Sequence, residues 1–121
     1  DGTVYVGSLD GNLYALDAIT GKPAWPSPFA TDDPIISAPV LVPDGVAVAN
    51  DDGDVYLVHP QNGTELRSFS AKDHIRAPLA AADSVIYFSA MNHSIWAADL
   101  EGGFWREMWC YDTERSTATC N

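Results

Sequence analysis

"SLDGNLYALD" (8–17), "NDDGDVYLVH" (50–59) and "AMNHSIWAAD" (90–99) align without gaps, at a step of 42 residues and then 40. Leu13, Val55 and Ile95 form one apolar column, and Tyr14, Tyr56 and Trp96 form an aromatic column beside it. The flanks repeat too. "GTVYVGS" (2–8), "GVAVAND" (45–51) and "SVIYFSA" (84–90) lead into the unit, and "ISAPVLV" (36–42) echoes "IRAPLAA" (75–81). A fixed period of this length determines the architecture before any single residue does.

Each copy reads as short strands divided by turns. β-Branched and aromatic residues fill Val4-Tyr5-Val6, Val46-Ala47-Val48 and Val85-Ile86-Tyr87-Phe88, the residue types that suit a pleated, half-buried surface. Asp10-Gly11 and Asp52-Gly53 are tight-hairpin dipeptides, because Gly accepts a positive φ and Asp bonds the turn backbone. Asn92-His93 fills that place in the third copy, where Asn is expected to take the left-handed conformation. Gly21, Gly63 and Gly103 mark a second turn, and Pro34, Pro39, Pro43 and Pro78 fall at strand starts and connections, where a missing N–H costs little. No stretch reads as a helix of useful length.

A period near 40 residues with four short antiparallel strands is the pattern of a β-propeller blade. The fold expected is therefore all-β, with about three blades of four antiparallel strands in one partial propeller domain. The copies run approximately over 1–35, 36–74 and 75–115, and 116–121 begins a further blade. Residue 1 enters at the second strand of a blade, and propellers close with about 4 to 8 blades, so the chain is expected to be part of a longer propeller.

Composition narrows the partners. The 121 residues are 46% hydrophobic, enough for a core. Seventeen acidic residues against six basic ones give a net charge of −11. That balance argues against nucleic acid and anionic membranes, which require clustered Lys and Arg. No apolar run approaches the ~18 residues of a membrane-spanning helix. Cys110 and Cys120 lack zinc-ligand spacing. A disulfide is the expected use, with two reduced or separately paired thiols as the alternative. It points to an extracytoplasmic setting: periplasmic, cell-surface or secreted.

Ala15, Asp17, Thr20, Gly21, Lys22 and Trp25 fit A-x-D-x-x-T-G-K-x-x-W, which resembles the tryptophan-docking motif of the pyrroloquinoline-quinone (PQQ) repeat family. The third copy keeps Ala97, Asp99 and Gly103, has Phe104 at the Lys place, and carries Trp105 and Trp109 two residues either side of the expected tryptophan. The second copy keeps Gly63, with His59 at the Asp place and Arg67 at the Trp place. The resemblance implies a propeller whose Trp packs between blades. Its members include quinoprotein dehydrogenases and cofactor-free propellers such as the BamB-type lipoproteins of outer-membrane protein assembly, so the repeat implies fold more strongly than activity.

Motifs for chemistry are sparse. Asn50, Asp52 and Asp54, with Gln61, alternate like calcium ligands, but Gly53 stands fourth where the EF-hand places its glycine sixth. An acidic hairpin turn accounts for them. His59, His74 and His93 lack metal-ligand spacing, and Ser8, Ser37, Ser89 and Ser94 sit in no nucleophile elbow. The dehydrogenases of the family carry a calcium or lanthanide site, a catalytic Asp and often an adjacent-cysteine disulfide, none of which maps here. Asn62-Gly63-Thr64 and Asn92-His93-Ser94 fit the glycosylation sequon at turns where Asn is expected anyway. The expectation is thus a non-catalytic extracytoplasmic scaffold or protein-interaction module with no cofactor or metal, its partners being other proteins or the remaining blades of its propeller. The alternatives are a piece of a PQQ-dependent alcohol or sugar dehydrogenase and a lumenal sensor domain of the stress-kinase type.

Overall fold

The computed structural model describes residues 2–71, 73–101 and 105–118. Eleven strands lie among them, in three antiparallel sheets: β1 (Thr3–Gly7), β2 (Asn12–Asp17) and β3 (Phe29–Ala30); β4 (Val40–Val42), β5 (Gly45–Ala49), β6 (Asp54–Val58) and β7 (Glu65–Ser70); β8 (Ala80–Ala82), β9 (Val85–Ala90), β10 (Ser94–Asp99) and β11 (Arg106–Asp112). Strand order within each sheet follows chain order. These are up-and-down propeller blades, stacked face to face, and the all-β reading of the sequence holds.

Alternation along the strands divides each blade into two faces. Leu13, Ala15, Trp25 and Tyr5 of the first blade pack on Val46, Val48, Val58 and Tyr56 of the second. The opposite face of the second blade, Ala47, Ala49, Val55, Leu57 and Phe69, packs on Ile86, Phe88, Ala98 and Leu100 of the third. The two cores are therefore the seams between blades. The outward faces of the end blades differ sharply from their buried counterparts. Val4 and Val6 are 43% and 47% exposed, whereas Val46 and Val48, the same repeat positions, are 1% and 0% exposed.

The first hairpin turn of each copy has a left-handed residue at the same place: Gly11 (φ 89°), Gly53 (φ 92°) and His93 (φ 69°). In the third copy His93 takes that conformation, not the Asn92 expected from the sequence. The reason lies in the neighbouring loop. A Cβ on Gly53 would meet the Asp73 carbonyl at 2.2 Å and one on Gly11 the Asp33 carbonyl at 3.1 Å. After β11 the chain turns instead at Thr113–Ser116, with Ser116 left-handed (φ 56°). The third copy thus carries a side chain where the others require glycine.

Candidate functional site: the seams between blades

The sequence-predicted residues assemble a turn and a plug. Asp17 ends β2, and its Oδ1 accepts the N–H of Ile19 at 2.9 Å and of Thr20 at 3.0 Å. Thr20 Oγ1 accepts from Lys22 N–H, and Gly21 turns the chain at φ 74°. The chain then runs back beside β2, where Ala24 N–H donates to Ala15 O and sets Trp25 on the face that meets the second blade. Trp25 is 4% exposed. Its Nε1 donates to the carbonyl of Pro60 at 2.9 Å, and Tyr5 hydroxyl donates to the same carbonyl at 3.3 Å. The indole lies flat on Gly63, where a Cβ would stand 2.6 Å from the ring. Gly63 is also left-handed (φ 76°), so both space and backbone require glycine.

His59 replaces the turn aspartate in the second blade. Its Nδ1 accepts the N–H of Gln61 at 3.2 Å, which places the ring proton of neutral His59 on Nε2. Asp99 serves the third blade, accepting from Glu101 N–H and from the Ser84 hydroxyl. The same cap recurs at a place the repeat did not advertise. Asp112, at the end of β11, accepts from the amides of Glu114 and Arg115. These carboxylates are held below the ordinary aspartate range: Asp17 by the Thr20 and Ile19 amides, Asp99 by the Glu101 amide and Ser84, and Asp112 by the Arg115 amide.

The tryptophan column continues by register. Leu57 pairs with Arg67, and Ala97, its counterpart, pairs with Trp109, each beside a β-bulge. Arg67 reaches into the third blade as Trp25 reaches into the second: its Nη1 donates to the carbonyl of Leu100 at 2.6 Å, the repeat position of Pro60. Its Nε is buried with no partner among the described residues. The column was offset by two residues in the sequence because the turn after Asp99 is two residues longer than those after Asp17 and His59. Trp109 is the third member. Its ring is tilted against Tyr87 with centroids 6.1 Å apart and 41° between planes, matching Trp25 against Tyr5 at 5.8 Å and 42°.

Asn50 was weighed in the sequence only as a calcium-ligand candidate, and its placement is different. It is wholly buried. Its Nδ2 donates to Thr31 O of the first blade, while its Oδ1 accepts the amides of Asp52 and Asp54 at 3.1 and 3.0 Å. Ser8 and Ala90 stand at the same position in the other copies, so no repeat signal marked it. Between the second and third blades, Arg76 grips Asp51 with Nε at 2.6 Å and Nη2 at 3.2 Å. Its guanidinium holds the Asp51 carboxyl below the usual range and is itself raised. The Asn62 and Asn92 carboxamides face their own turns, accepting from Thr64 and Ser94 respectively.

The side chains present do not fit a quinone–metal centre. Asn50 has its amide and carbonyl committed to backbone. Among the described cations Arg67, Arg76, Arg106 and Arg115 are engaged with Leu100 O, Asp51, Asp99 and Asp112, and Lys22 is exposed. Among the described residues no three His, Cys, Asp or Glu side chains gather as a metal site. Cys110 is buried on β11 opposite Trp96. Cys120, Lys72, Gly103 and Phe104 lie outside the described residues.

The chain is 29% identical over 102 residues to human serine/threonine-protein kinase/endoribonuclease IRE2, covering 81% of this chain and 11% of that protein. It is 43% identical over 54 residues to the 1-butanol dehydrogenase (cytochrome c) of Thauera butanivorans, covering 41% of this chain and 8% of that one. The chain thus spans about a tenth of the length of these curated relatives. The crystal structure of BamB from Moraxella catarrhalis superposes with a TM-score of 0.72 at 16% identity, over 96% of this chain and 44% of that one. The sequence model of the family described as outer membrane protein assembly factor BamB matches residues 1–119, and the chain belongs to that family of PQQ-repeat β-propellers.

Proposed function

We propose that this chain is part of a non-catalytic, extracytoplasmic β-propeller that acts as a scaffold or protein-interaction module. The observation that carries the reading is the use made of the repeat's distinguishing side chains. Trp25, Gly63, Arg67 and Asn50 join one blade to the next, and the arginines are engaged by carboxylates or a backbone carbonyl. The Cys110–Cys120 disulfide expected from the sequence would support the compartment. Alkylation and mass measurement before and after reduction test it: no alkylation until reduction is expected, and two freely alkylated thiols would remove that support.

A second reading is a piece of a PQQ-dependent alcohol dehydrogenase, favoured by the 43% identity to the butanol dehydrogenase over 54 residues. Titration with pyrroloquinoline quinone and calcium, with dye-linked oxidation of several alcohols and sugars, separates the two. The scaffold reading expects neither saturable binding nor turnover. Turnover that is lost on substituting an acidic residue of this chain would overturn it.

A further inference from the structure

The turn that seats Trp25 contains an asparagine held in a reactive arrangement. Asn62 follows β6 in the middle blade, which is packed on both faces. It stands where Thr20 stands in the first blade: Thr20 Oγ1 accepts the Lys22 amide, and Asn62 Oδ1 accepts the Thr64 amide at 3.1 Å. Thr64 adds a second donor, its hydroxyl lying 2.7 Å from the same Oδ1. The carboxamide oxygen thus has two donors, while its Nδ2 has no partner among the described residues and the side chain is exposed. An Asx turn of this kind folds the side-chain carbonyl carbon back over the next backbone nitrogen. That nitrogen belongs to Gly63, which places no Cβ in the way of an approach.

We propose that Asn62 is a self-modification site, at which Gly63 N closes on Asn62 Cγ and the two Thr64 donors stabilise the oxyanion that forms at Oδ1. Gly63 N–H donates to His59 O at 3.0 Å, so the reaction begins with a transient opening of that turn bond. Gly63 N loses its proton and bonds to Cγ, the Cγ–Nδ2 bond breaks, and Nδ2 leaves with a proton as ammonia. Water then opens the cyclic imide. Cleavage between the nitrogen and Cγ gives aspartate, and cleavage between the nitrogen and the Asn62 backbone carbonyl carbon gives isoaspartate, whose main chain is longer by one carbon. One water is taken up for each ammonia released, and no electron is transferred.

The other described asparagines lack this combination. Asn50 is buried with its carboxamide bonded to backbone, Asn12 precedes the buried Leu13 and donates from Nδ2 to the Tyr14 hydroxyl, and Asn92 precedes His93, whose side chain hinders the approach. The product at Asn62 matters because of what rests beside it. A Cβ on Gly63 would stand 2.6 Å from the Trp25 indole, and Pro60 O accepts the indole Nε1. An extra main-chain carbon between these two anchors changes their spacing, so isoaspartate loosens the first seam. This holds for a scaffold and for an enzyme alike.

Incubation of the chain in mildly alkaline buffer, with peptide mapping by mass and enzymatic labelling of isoaspartate, follows the reaction. Ammonia loss and isoaspartate are expected at Asn62 before Asn12, Asn50 or Asn92 changes, and the urea midpoint should fall in step. Asn62→Thr, which installs the first blade's own residue, should keep its midpoint throughout. Thr64→Val should slow the folded chain severalfold and Thr64→Ser should restore the rate, while in urea all three Asn62 chains should react alike. A Thr64→Val chain that had merely unfolded would react at the urea rate, which that arm identifies. Thr64→Val that ages at the parent rate when circular dichroism shows it folded overturns the proposal. So does an Asn62 that outlasts Asn12 or Asn92, and an aged chain that keeps the parent midpoint overturns the link to the seam.

Discussion

A single buried carboxamide ties the first blade to the second through three backbone groups. Asn50 supplies both donor and acceptor, and all of its bonds run to main chain. Replacing it with alanine leaves the buried Thr31 carbonyl without its donor, at about 1–3 kcal/mol, whereas the amides of the exposed Asp52 and half-buried Asp54 can turn to water at less cost. Asn50→Ala should therefore lower the urea midpoint clearly, and Asn50→Asp should fail to rescue it because the Thr31 carbonyl then faces a carboxylate oxygen. A variant that unfolds with the parent would show that the carboxamide is not holding the seam. Sequence reading could not reach this residue: Asn50 sits in an Asx-rich hairpin where a turn role is sufficient. Trp25, by contrast, was legible, since a large aromatic at a fixed offset from Asp17 and Gly21 has little other use in a strand-and-turn repeat.

At the level of the element, the hairpins were readable because Asp-Gly turns and β-branched runs are strong local signals. What escaped was anything set by a neighbouring loop or an altered turn length. His93 occupies a left-handed position that costs an L-residue roughly 1–2 kcal/mol, beside the different turn at Thr113–Ser116, where its ring meets Glu114 at 3.3 Å. His93→Gly is accordingly expected to be neutral or stabilising by up to about 1 kcal/mol once the extra freedom of the unfolded glycine is counted. Gly53→Ala should destabilise markedly, because its Cβ would lie 2.2 Å from the Asp73 carbonyl. Thermal melts of the two variants should move in these directions; equal losses would contradict the loop explanation. The aspartate-capped turns also set an acid limit. Asp10, Asp17, Asp51, Asp99 and Asp112 all have folded pKa values below their ordinary 3.8, through Tyr14, turn amides or Arg76. The unfolded chain thus binds these protons first. Their stabilisation is fully present above the ordinary value and is lost as pH falls through the lowered ones. Stability should be flat in this contribution from neutral pH to about 5 and should decline below about 4, in a pH series of denaturant melts. A stability that rises below that pH would contradict the sign.

At the scale of the molecule, three blades share one joining device, varied in chemistry but fixed in register. Trp25 and Arg67 each cross to a backbone carbonyl at the same repeat position of the next blade, and Trp109 stands ready at the third. The fold was legible because a 40-residue repeat leaves few alternatives. The continuity of the column was not, because a two-residue longer turn moved Trp109 out of alignment while the strand register kept it in place. The claim that these residues carry the seam predicts a specific coupling. Trp25→Ala should cost about 3–5 kcal/mol. Gly63→Ala should also destabilise strongly, because the added methyl would lie 2.6 Å from the indole. In the double variant the indole is gone, so the methyl meets open space and only the left-handed strain of about 1–2 kcal/mol remains. The most direct measurement is a double-mutant cycle of these two substitutions by urea unfolding at fixed chain concentration. The account predicts that the double variant is less destabilised than the sum of the singles by about 1–3 kcal/mol. Losses that simply add, within about 0.5 kcal/mol, would contradict it and separate Trp25 from the turn on which it rests.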